Sequence, residues 1–96
     1  MKQFICFFKP PRENFNENQT DEESKIISDH FLYLKKLLNE NILILAGPET
    51  NAKFGVSVFE AESEEEAWKI VNNDPAVINK VFTAEIYPFR VSLLKK

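Results

Sequence analysis

Apolar and polar residues follow a two-residue rhythm in some stretches of this chain and a helical one in others. Gln3 to Phe8 is aromatic and β-branched and is stopped by Pro10–Pro11, which predicts a strand. Pro10 to Glu23 reads as a connection. Thr20 and Glu23 at its end have the capping-box spacing, the threonine hydroxyl accepting from the backbone three residues on while Glu23 reaches back. Ile27, Phe31, Leu34 and Leu38, with Leu37 beside them, then recur at helical spacing and predict a helix with that stripe on the core; Asn39 and Asn41 supply its stop. Ile42 to Ala46 is a short apolar run closed by Gly47–Pro48, a buried strand. Lys53 to Ala61 is a further strand, joined to it as a hairpin through the turn residues Glu49 to Ala52. Ser63 to Glu66 is a second capping box, opening a helix whose inner side is Ala67, Trp68, Ile70 and Val71. Asp74–Pro75 ends it, because the residue before a proline is pushed out of the helical region. Ala76 to Val81 adds a short helical turn, and Phe82 to Leu94 a long closing strand in which Pro88 requires a bulge or an edge position.

The order strand, helix, strand, strand, helix, strand predicts an α+β domain of the ferredoxin-like βαββαβ type. Right-handed crossovers place both helices on one face of a four-stranded antiparallel sheet. The other face should then be polar, and it is not. Phe4, Cys6 and Phe8 alternate with Ile5 and Phe7; Ile42, Ile44 and Ala46 with Leu43 and Leu45; Phe54, Val56 and Val58 with Phe59 and Ala61. A sheet that is apolar on both faces is covered on both. A second copy of the same sheet is the simplest cover, since closed two-fold dimers are the commonest oligomers. The competing cover is the C-terminal segment Arg90 to Lys96 folded back over the face.

Composition narrows the function. The 96 residues suffice for one domain, 1–96. Twelve basic side chains against fifteen acidic, a net charge of -3, argue against a nucleic-acid partner. No apolar run reaches membrane-spanning length. A lone cysteine, Cys6, makes no internal disulfide, and no signal peptide is visible at the N-terminus, so the expected setting is cytoplasmic. One histidine and one cysteine cannot build a structural zinc site, and no phosphate loop or dinucleotide motif is present; no cofactor is expected.

His30 is the only histidine and sits within the apolar stripe of the first helix. On an apolar helix face, a core histidine satisfied by a backbone carbonyl is the usual outcome. The topology favours something else. It brings the Pro10–Pro11 loop, the Gly47–Pro48 hairpin and Asp74 to one end of the sheet, with His30 in the nearer half of its helix. A cleft there joins His30 to Asp74, whose carboxylate would fix the ring's tautomer and leave the second nitrogen free for general acid or base work. Aspartate before a proline is also an ordinary turn-former, and Asp29, next to His30, points elsewhere on the helix. Arg12 lies in the loop at the same end and is a candidate for an anionic substrate group. Tyr87, with Phe15, Phe82 and Phe89, is a candidate pocket wall. Cys6, on a strand, is expected to be buried and unreactive.

These residues resemble the YCII-related (YciI-like) family, within the dimeric α+β barrel group. The resemblance runs from His30 to Phe89. It rests on His30 with Leu32, on Ala46-Gly47-Pro48, on Asn73-Asp74-Pro75 and on Glu85-Ile86-Tyr87-Pro88-Phe89. It implies a ferredoxin-like homodimer with a histidine–aspartate active site at His30 and Asp74, and substrate contacts near Gly47 and Pro48. It also implies kinship with small dehydrochlorinases and muconolactone isomerases acting on oxygenated ring compounds. Many relatives carry an arginine three residues before the histidine, where this chain has Ile27, and the glycine-rich region after the second strand is short here. The implied function is lyase- or isomerase-type proton transfer on a small organic molecule. The alternative is a non-catalytic ligand-binding or structural dimer module of the same fold.

Overall fold

A computed structural model describes residues 1–95. The elements run β1 (Lys2–Lys9), α1 (Phe15–Asn18), α2 (Asp21–Asn39), β2 (Leu43–Pro48), β3 (Gly55–Ala61), α3 (Glu64–Asn72), α4 (Pro75–Ile78) and β4 (Thr83–Phe89). The four strands form one sheet in the order β2-β3-β1-β4, every neighbouring pair antiparallel. This is the expected ferredoxin-like α+β arrangement. Pro88 lies in β4, at the sheet edge, where a missing N–H does least harm.

The helix-facing side of the sheet is the core. Phe4, Cys6 and Phe8 of β1, Phe59 and Ala61 of β3 and Ile86 of β4 close on Leu37 of α2 and Ala67 and Val71 of α3. Phe4 and Phe59 face each other across the strands with ring centroids 6.1 Å apart. Each contributes roughly 1.5–3 kcal/mol by leaving water.

Local signals set the ends of α2. Thr20 accepts from the Glu23 backbone at 3.1 Å while the Glu23 carboxylate accepts from the Thr20 backbone at 2.9 Å, a complete capping box. At the other end Asn41 adopts a left-handed φ of 61°. Ile42 then donates back to Leu37 and Asn41 to Leu38, satisfying two carbonyls of the last turn. The box expected at α3 forms only by half. Ser63 accepts from Glu66, but the Glu66 carboxylate takes its hydrogen bond from Glu62 rather than from Ser63.

Several expected details are corrected. The buried stripe of α2 is centred on Ile26, His30, Tyr33 and Leu37, with Ile27 and Leu34 beside it; Phe31 and Leu38, expected inside, are exposed. A register shift in β2 places Leu43 opposite Phe59, on the core side, and Leu45 opposite Val58, on the outer side. Strict alternation had put these two leucines on one face; the extra residue of a bulge turns one of them over. Lys53 and Phe54 belong to the hairpin loop rather than to β3, because Glu49 ties the loop by accepting from the Asn51 and Lys53 backbones. The closing strand ends at Phe89, not Leu94. Beyond it Val91 donates to the Gln3 side chain at 2.7 Å, while Leu93 and Leu94 stand in the open. Within residues 90–95 that segment therefore does not cover the outer face; Lys96 lies outside the described residues.

The outer face is apolar as the alternation requires. Ile5, Phe7, Val56, Val58, Leu45, Tyr87 and Phe89 occupy it by register. Leu45, Tyr87 and Phe89 are each more than two-fifths exposed in the single chain. Phe7 sits between Phe54 and Tyr87, both rings 6.2 Å away.

Candidate active site

His30 is carried by α2, and Asp74 by the short link between α3 and α4. Proline at position 75 keeps Asp74 extended (φ -70°, ψ 127°), and its carboxylate caps α4 by accepting from the Ala76 backbone at 2.9 Å. The turn-forming role foreseen for Asp74 and the pairing role are thus one geometry. The same carboxylate receives His30 Nδ1 at 2.6 Å on Oδ2 and 2.8 Å on Oδ1. The Asp74 side chain is 1% exposed and that of His30 13%. A carboxylate only accepts, so Nδ1 carries the hydrogen and Nε2 holds the lone pair of the neutral ring. Phe8 and Phe82 meet the imidazole edge to face at 5.2 and 5.3 Å and fix its plane. One nitrogen is anchored, and the other can give or take a proton.

The charge of Asp74 is felt beneath it. Burial and then the nearby Asp74 charge push the Cys6 thiol up to about 12, against a smaller opposing hydrogen bond from Ser57. The Tyr33 phenol, which donates to the Ile70 carbonyl at 2.6 Å, is likewise raised to about 12, by burial and then by Asp74 and Glu40. A thiol whose folded pKa lies above its unfolded value favours folding fully at lower pH, and that contribution disappears as pH rises from about 9 to about 12. Chemical denaturation followed across that window should show a decline that is shallower in Cys6→Ala. Thiol reagents should label Cys6 only as the chain unfolds; fast labelling of the native protein would contradict this environment.

The other candidate residues are dispersed. Arg12 is bound to Glu23 through both carboxylate oxygens, at 2.6 and 2.9 Å, and to Asn18, with its guanidinium 5.2 Å above the Phe15 ring. That pairing holds the Glu23 carboxyl down at about 2, the Arg12 hydrogen bond being the largest cause. Tyr87 and Gly47 lie by register on the outer face, opposite Ile5 and Val56, away from the His30 side of the sheet. The Tyr87 hydroxyl donates to Glu85 at 2.6 Å. Pro48 pairs with Gly55, which pairs with Phe8, and so shares the core-side register with the phenylalanine that touches His30. Phe15 and Phe82 do gather at the site, Phe15 reaching Phe82 at 6.1 Å. Phe8 went unmarked as a site residue in the sequence; its core-side alternation, at the end of the sheet where His30 sits, is the signal that points to it. No three His, Cys, Asp or Glu side chains converge as metal ligands among the described residues, and no described helix is long and apolar enough to cross a membrane.

A ferredoxin-like α+β chain with a histidine–aspartate pair wedged between helices and sheet defines the class. This chain belongs to the YCII-related domain family, which matches residues 4–90. No curated protein matches it. Among solved structures it is similar to a 5-chloro-2-hydroxyhydroquinone dehydrochlorinase from Burkholderia phenoliruptrix, determined in complex with 2,5-dihydroxybenzoquinone. The two share 18% identity over 92% of this chain and 93% of that one, with a TM-score of 0.70, and so share the fold.

Proposed function

We propose that this protein is a small dimeric enzyme in which His30, oriented by Asp74, moves a proton in a lyase- or isomerase-type reaction on a compact, oxygenated organic molecule. The observation that carries the reading is the bidentate seat of Nδ1 on a buried carboxylate, which leaves Nε2 as the only nitrogen able to exchange a proton. In the forward step Nε2 takes a proton from an acidic C–H or O–H, and the imidazolium formed is stabilised by Asp74, which keeps its charge. The same proton is then delivered to the leaving group or to a second carbon, so the ring ends neutral. The dehydrochlorinase of the same fold, holding a dihydroxyquinone, supports the choice of substrate class. Arg12, Gly47, Pro48 and Tyr87 are proposed substrate contacts of lower rank, Pro48 best placed among them by register. The second copy covers the outer sheet face and leaves His30, on the helix side, to each subunit.

A panel of hydroxylated aromatics, hydroxyquinones, lactones and enol acids, screened by thermal shift and then by turnover, tests the reading. A ligand present at a hundred times its Kd should stabilise by about 2.7 kcal/mol. Turnover of any hit should vanish in His30→Ala. Turnover that survives in that variant would remove His30 from the reaction.

A further inference from the structure

The His30 side chain is largely covered. Phe8 and Phe82 stand edge-on to the ring. A hollow of about 10 Å³ reaches Asp74 from the core side, between Tyr33, Ser57 and Val71, and holds one water at most. The large hollow, about 390 Å³, lies at the opposite end of the sheet against Met1, Gln3, Phe4, Pro88 and Arg90. Segment 10–19 stands behind Phe82 on the aromatic side of His30. Phe15, only 3% exposed, leaves that segment to press on Phe82, and Phe82 presses on His30.

The segment is fastened in an unusual way for so buried a plug. Outside the regular elements, the backbone hydrogen bond within it is Glu17 to Asn14, internal to the segment, and none among the described residues ties it to the sheet. Its main hold on the body is Arg12, which binds both Glu23 oxygens on α2 while also gripping Asn18 and covering the Phe15 ring. Asn14, where α1 begins, sits at a left-handed φ of 57° with no side-chain cap. An apolar plug is thus held by surface side chains, Arg12 with four hydrogen bonds and Gln19, at the segment's end, with the one it accepts from the Ser24 hydroxyl at 2.9 Å.

We infer that segment 10–19 is a gate over His30, with Phe15 as its plug and Arg12 as its latch. Release of the Arg12–Glu23 pair lets Phe15 leave Phe82 and opens a path to Nε2. The vacated place is the size of a phenyl ring, bordered by Phe82, so a flat ring is the ligand shape it admits. The inference rests on the reading of His30 as the reactive group, but its test does not.

Diethyl pyrocarbonate acylates neutral imidazole, and His30 is the single imidazole in the chain, so the N-carbethoxyimidazole product reports it alone. Its rate on the alkaline plateau, where the ring is neutral, reports access alone. Arg12→Met should raise that rate roughly two- to fivefold, the factor that loss of an exposed ion pair supplies. Arg12→Lys, which keeps the charge but not the fork, should fall between. Amide exchange should quicken in residues 10–19 and stay unchanged in β1 and β3. Equal rates in the wild type and Arg12→Met overturn the gate, and so does a rise matched by faster exchange throughout the sheet, which means general loosening. If Phe15→Ala folds, it should react faster still. A guarded His30 in a protein that turns nothing over keeps the gate and sinks the enzyme; turnover with an unguarded His30 does the reverse.

Discussion

Asp74→Ala should destabilise the chain by about 3 kcal/mol, the sum of a lost helix cap and a lost charged hydrogen bond. It also leaves Nδ1 of His30 without its buried acceptor. Asp74→Asn separates the two roles. The amide oxygen can still cap Ala76, so stability should fall by only about 1 kcal/mol. The amide nitrogen, however, would confront Nδ1–H donor to donor. The ring then moves its hydrogen to Nε2, and the nitrogen proposed to act as base loses its lone pair. Turnover of any substrate found should drop by ~10²–10⁴-fold, the usual worth of a positioned acid–base group. Nitrogen-15 chemical shifts of the single imidazole read the tautomer directly. A ring that keeps its hydrogen on Nδ1 in Asp74→Asn would show that the carboxylate does not set it.

The second large effect concerns the bare sheet face. The wild-type protein should run at twice the chain mass in light scattering at micromolar concentration, two outer faces packed together. Phe7→Glu places a carboxylate between Phe54 and Tyr87, in the middle of that face. Burying it unpaired costs several kcal/mol, so dimer dissociation should strengthen by about 10³-fold or more and the chain should run as a monomer. Leu38→Glu is the control. It adds the same charge at an exposed hydrophobe on the outside of α2, and the dimer should survive it. A wild-type monomer, or equal sensitivity to both substitutions, would defeat the sheet-to-sheet assembly.

Much of this protein is readable along the chain because it depends on neighbours close in sequence. The capping box at Thr20, the stop at Asn41, the hairpin after Pro48 and the break before Pro75 are all made by residues within a few positions of one another. Alternation also revealed that both faces of the sheet are apolar. Element order alone brought Asp74 to the same end as His30.

Where the reading went astray, the deciding partner was far away in sequence. Ile27, Leu34 and Leu37 fit two overlapping helical stripes, one continued by Phe31 and Leu38, the other by His30 and Tyr33. Periodicity gives the width of an apolar stripe and leaves its centre open. The buried Asp74 carboxylate and the Ile70 carbonyl settle it, because they offer His30 and Tyr33 hydrogen bonds that Phe31 and Leu38 cannot use. A one-residue bulge parted Leu43 from Leu45, and strand alternation carries no sign of it. Of the four aromatics offered as a pocket wall, Phe15 and Phe82 meet across sixty-seven positions, while Tyr87 lies on the other face of the sheet. The partner that folding gives Arg12, Glu23 eleven positions on, was likewise not foreseen. Short-range sterics and hydrogen bonding, written in the order of residues, determined the elements, their ends and their sequence in the sheet. Which side chains turn inward, which nitrogen of His30 stays free and what stands over it were decided only in three dimensions, since each requires groups that come within hydrogen-bonding or van der Waals reach only once the chain has closed on itself.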